Sequence, residues 1–170
     1  MMTDAVPAAT LEAIGRVAVE CTMLETIVWM IGSGDPLSLL KPAPDYASWH
    51  KVRRLYCRRT GAWPENLKAR GDQLLDEVEG LRELRNSVVH AQLITVGGNQ
   101  QWVHARSHSI KPFDHEAVER LLDDIEITGG RALALFATAL ENGVYTREEL
   151  VAASDEEQLE MMRLIDELSQ

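Results

Sequence analysis

Arg85-Asn86-Ser87-Val88-Val89-His90 is the stretch with chemistry to offer, because it sets a permanent cation, an amide and an imidazole within six residues. A guanidinium carries a planar fork of donors that can hold two oxygens of an anion, and an imidazole exchanges protons near neutrality. On a helical wheel Leu67, Leu74, Val78, Leu81 and Val88 share one face, and Arg85 falls in its middle. A cation there must be paired or must line a cleft, since burying it alone would cost several kcal/mol and Arg does not deprotonate. Asn86 and His90 stand one turn apart, so their side chains are expected to meet. All three are therefore expected at the carboxyl end of one long helix, about Glu65 to Ala91.

The run from Arg85 to His90 resembles the Arg, four to six residues, His signature of HEPN domains, including the polar residue that often follows the Arg. The resemblance covers roughly residues 8 to 142. It implies an all-α, up-and-down helical bundle that forms a homodimer with the two motifs facing each other. It also implies a metal-independent RNA endonuclease without cofactor, of the kind found in toxin–antitoxin and phage-defence systems, although some members are inert. An antitoxin or other partner protein would accompany such a role. RNA cleavage needs a 2′-hydroxyl to lose a proton, the phosphate charge to be held, and the leaving 5′-oxygen to be protonated. His90 suits the proton transfers, Arg85 the phosphate, and Asn86 the orientation of the ring or the ribose. One motif supplies one imidazole, so a dimer would supply the second. The competing reading is a non-catalytic interaction module, in which Glu20 or Glu25 pairs with Arg85 inside the bundle and His90 merely ends the helix.

Composition bounds the class. At 170 residues, 45% hydrophobic and 26% charged, the chain suits one globular domain over 1–170, with a core over about 8–142 and acidic helices over 147–169. Cys21 and Cys57 form no CxxC pair, which argues against a disulfide framework or a cysteine zinc site. His104 and His108 are the one histidine pair at helical ligand spacing, and they fall in a strand and loop. HExxH, phosphate-loop and GxSxG patterns are absent from the sequence. The amino-terminal residues do not read as a signal peptide and no apolar run approaches a membrane span, so a cytoplasmic location is expected.

A net charge of -10 argues against a nucleic-acid partner until its distribution is read. Basic residues number 1 against 5 acidic over 1–40, 12 against 7 over 41–111, and 4 against 15 over 112–170. The basic middle holds the motif.

Four principal helices are expected to position it. The first runs from about Ala8 to Ile31, with Thr10 as its cap and Leu11, Ile14, Val17, Cys21, Leu24, Val28 and Ile31 inward. Gly32 to Pro36 should stop it. The second runs from about Asp45 to Thr60 with Trp49, Val52, Leu55 and Tyr56 inward, and Lys51, Arg54 and Arg58 form a basic ridge suited to RNA phosphates, to the acidic tail, or simply to solvent. After the motif helix, Leu93–Val96 and Gln101–Arg106 around Gly97-Gly98-Asn99 read as a small β-hairpin insertion, placing Trp102, His104 and Arg106 on one side, where they border the motif as substrate-binding residues. The fourth helix starts at Asp114 as cap with Phe113 as staple, and ends at Asn142-Gly143. Gly129-Gly130 within it suggests a kink or a close backbone approach.

Overall fold

The computed structural model describes residues 7–34, 49–104, 109–112 and 114–145. These form four helices and a small antiparallel sheet.

Helix α1 (Ala8–Ser33) starts at Ala8, as expected, which is two residues before its expected cap. Its leading amides from Thr10 and Leu11 donate to the Pro7 carbonyl at 3.0 and 3.2 Å, and Thr10 is buried inside the helix, so Thr10 is a core position and no cap. Gly34, at φ 72°, closes the helix by donating to Met30 O at 2.9 Å. Helix α2 covers Trp49–Thr60, and the expected start near Asp45 lies outside the described residues. A tight turn through Trp63 leads to Pro64, whose carbonyl accepts the first amides of α3 (Glu65–Val89). That helix stops one residue before His90 because Ala91 already belongs to a strand.

Strands β1 (Ala91–Val96) and β2 (Asn99–His104) pair antiparallel with Val96 opposite Asn99. Gly97 and Gly98 join them at φ 59° and 83°, the two-residue turn whose twist suits a hairpin and which only glycine-like residues adopt freely. The hairpin thus begins two residues before its expected start. A third strand, β3 (Ile110–Pro112), adds to β2 with Trp102 opposite Lys111. It escapes sequence reading because it is three residues long and ends in a proline, which only a sheet edge tolerates. Helix α4 (His115–Glu141) is capped as expected, with Asp114 Oδ1 accepting from Ala117 N at 3.1 Å. Gly143, at φ 66°, follows its end. Phe113, Arg106 and the carboxyl-terminal helices expected over 147–169 lie outside the described residues.

The chain gathers into two compact units, Met1–Cys21 with Glu79–Glu126, and Thr22–Val78 with Ile127–Gln170. The first contains the sheet, the motif end of α3 and the start of α4. Its core includes Val17, Cys21, Leu81, Trp102, Leu122 and Ile125, and Arg16 pairs with Glu126 at 3.1 Å on its outside. Leu11 is 57% exposed, so the inward face of α1 begins with buried Thr10 and its apolar stripe with Ala13.

The second unit is built around Tyr56, which is wholly buried and donates to Gly71 O at 2.9 Å. Burial pushes its hydroxyl pKa up, and nearby Tyr145, Asp72 and Cys57 push the same way. A β-carbon on Gly32 would stand 2.8 Å from Tyr56 N, so α1 and α2 approach backbone to backbone at that glycine. Gly32 therefore does not stop α1; it permits a contact. A β-carbon added at Gly129 or Gly130 would meet nothing within 4 Å, so among the described residues no close approach occurs there. Tyr145 completes the unit, donating to Ile31 O at 3.1 Å and meeting Phe136 edge to face at 5.1 Å.

Candidate functional site

The inward face of α3 holds for most of its length and then opens. Leu67, Leu74, Val78 and Leu81 are buried, whereas Arg85 and Val88 are half-buried. The apolar spacing that makes the helix thus delivers the guanidinium to the point where the face emerges. Arg85 Nη1 donates to Asn86 Oδ1 at 2.9 Å, and its Nε is buried without a hydrogen-bond partner among the described residues. No carboxylate pairs with Arg85 among the described residues, and Glu20, in the same unit, does not close on it.

Asn86 differs from expectation in what it serves. Its amide oxygen is turned to Arg85, so it orients the guanidinium; its tie to His90 is through backbone, His90 N donating to Asn86 O at 3.2 Å. The i, i+4 spacing permits a side-chain contact, but the neighbouring cation offers the stronger, charge-assisted bond. His90 is exposed in the turn between α3 and β1. Arg85 and Asn86 therefore occupy the last turn and a half of α3, and His90 follows in the turn just beyond it, open to solvent.

The hairpin borders the motif helix on a different side. Trp102 and His104 line a cavity of about 240 Å³ with Ser87 and Val88 of α3 and Lys111 of β3, whereas Arg85, Asn86 and His90 do not line it. Trp102 is only 8% exposed, making it a core residue of the first unit more than an open contact surface. His104 is half-buried and sits in register opposite Ala91, the residue after His90. Register thus brings a second histidine's backbone beside the motif, which linear spacing does not reveal.

Lys51, Arg54 and Arg58 are exposed on α2, as their spacing predicts. They surround Trp29 and Leu55 in a depression of about 290 Å³ within the second unit. Sequence reading missed Trp29 because it lies beside Val28, off the inward stripe of α1; an aromatic at a stripe edge was the available signal. Among the described residues no three of His, Cys, Asp or Glu gather as a metal-ligand set, and no helix is long and apolar enough to cross a membrane. No family model, curated protein or solved structure matches the chain.

Proposed function

We propose that the chain is a metal-independent RNA endonuclease with a HEPN-like helical bundle, acting as a homodimer. The observation that carries this reading is the state of Arg85: half-buried where an apolar face opens, held by Asn86, free of any carboxylate partner among the described residues, and one and a half turns from an exposed His90. A guanidinium with most of its fork unused is ready to take phosphate oxygens, and its charge would stabilise the phosphorane-like transition state. His90 takes the proton of the attacking 2′-hydroxyl or returns one to the leaving 5′-oxygen. The partner's copy of the motif supplies the second imidazole, and Lys51, Arg54 and Arg58 hold phosphates along the strand. A role in a toxin–antitoxin or phage-defence system, with an antitoxin as partner, follows from the same resemblance.

A second reading, a non-catalytic interaction module, draws on the exposed apolar residues of the first unit: Leu84 at 53%, Val96 at 50% and Ile110 at 59%. Leu84 adjoins Arg85, so covering it would also cover the motif. A fluorogenic RNA substrate separates the two readings. Cleavage that persists in EDTA and disappears in His90→Ala supports the nuclease; no cleavage by pure wild-type dimer leaves the module.

A further inference from the structure

The chain has 27 acidic residues against 17 basic, so a cation on its surface meets carboxylates easily. Arg16, Lys68, Arg120 and Arg131 each do, at 3.0 to 3.4 Å. Lys51, Arg54 and Arg58 have no such partner among the described residues, although they stand on successive turns of α2 within reach of one another. Like charges at this spacing repel, which costs a few tenths of a kcal/mol per pair in an isolated helix. What they surround is the half-buried indole of Trp29, which has no aromatic or cation partner among the described residues, and Leu55 beside it. The opposite arrangement occurs nearby, where Arg59 lies 4.7 Å over the ring of Tyr145.

We propose that Trp29, framed by Lys51, Arg54 and Arg58, is a stacking platform for one unpaired base of a single-stranded RNA, with the three cations on its flanking phosphates. The proposal deepens the RNA reading above and rests on it for the class of polymer. An indole offers a flat apolar face to any base, and a base can reach that face only when it is not stacked within a duplex. The volume, about 290 Å³, lies at the lower bound of pockets that take drug-sized ligands, so it admits one ring system and its immediate backbone. A divided charge pattern would suit a zwitterion or a protein surface; three cations without a carboxylate in the lining suit consecutive phosphates. The platform therefore selects strand state, favouring single strands over duplex, with little base preference.

The test is anisotropy with a short fluorescent oligoribonucleotide, alone and annealed to its complement, against the 170-residue chain carrying His90→Ala so that cleavage does not intervene. Trp29→Leu keeps apolar volume and removes the π face; it should weaken single-strand binding about five- to a hundredfold and leave duplex binding within about twofold. Trp29→Phe should recover most of the loss. Undiminished single-strand affinity in Trp29→Leu overturns the platform, as does an equal loss on single strand and duplex. Competition by poly-glutamate as strong as by the oligonucleotide at equal charge also overturns it, assigning the ridge to an acidic polypeptide. The two readings fail separately: wild-type protein that binds single strands through Trp29 without cutting them loses the nuclease assignment and keeps the platform, while cutting that is indifferent to Trp29 does the reverse.

Discussion

Arg85, Asn86 and His90 divide their work unevenly, and the division can be measured. His90 is exposed and its side chain holds no other element among the described residues, so His90→Ala should lower cleavage at least about a hundredfold with an unchanged thermal midpoint. Arg85→Ala should also lower cleavage, by about 10² to 10³, through loss of charge stabilisation. Its effect on stability should be within about 1 kcal/mol, because no carboxylate among the described residues would be left unpaired and a buried, unsatisfied Nε would be removed. A large loss of stability in chemical denaturation would point to a carboxylate partner and to the module reading. Tyr56 supplies a pH test independent of function. Its pKa is raised by burial above the ordinary value near 10, so the fold favours the protonated phenol; that contribution is fully present below about pH 10 and is lost as pH rises above it. Tyr56→Phe should cost about 1 kcal/mol at neutral pH through the lost bond to Gly71 O, and should flatten the alkaline fall in stability expected of the wild type.

At the scale of elements, glycines separate contact from mere tolerance. Gly32→Ala would drive a β-carbon to 2.8 Å from Tyr56 N, a backbone atom that cannot swing aside, and should destabilise by about 1 to 3 kcal/mol. Gly129→Ala and Gly130→Ala meet nothing among the described residues and lie in the middle of α4, where alanine is the better helix former; each should stabilise by about 0.5 to 1 kcal/mol. Urea denaturation of the three variants reads both signs, and a stabilised Gly32→Ala would mean that α1 and α2 do not meet as described. The hairpin's role is positional. It starts directly after the motif helix and sets His104 opposite Ala91, and so decides which residues border His90.

For the molecule as a whole, assembly and charge are the open tests of the proposal. Exposed Leu84 beside half-buried Arg85 predicts a dimer in light scattering at micromolar concentration, and Leu84→Glu should shift it towards monomer and reduce cleavage together. A wild-type monomer that still cleaves would remove the need for a second imidazole from a partner. Reversing Lys51, Arg54 and Arg58 to Glu should weaken RNA binding and flatten the dependence of log affinity on log salt, since each lost phosphate contact releases fewer counterions. An unchanged slope would return the ridge to a solvated face.

Sequence by itself determined the four described helices, most of the face each buries, the hairpin and its turn, and the presence of Arg85, Asn86 and His90 at the end of α3. Those properties are local: a repeat of three and four residues marks a buried stripe, Asp114 before α4 offers its own cap, and Gly97-Gly98 can adopt positive φ within its own turn. Tertiary structure alone decided who meets whom. It turned Asn86 towards Arg85 and left His90 to solvent, buried Thr10 and Trp102, exposed Leu11, and gave β2 a third strand too short to carry a period. It also brought Trp29 of α1 to the cations of α2, across more than twenty residues of chain, and located the close approach at Gly32. The physical reason is the same in each case: a wheel assigns a residue to a face of its own helix, but the neighbour on that face belongs to another part of the chain, and side-chain competition for that neighbour settles only when the elements pack.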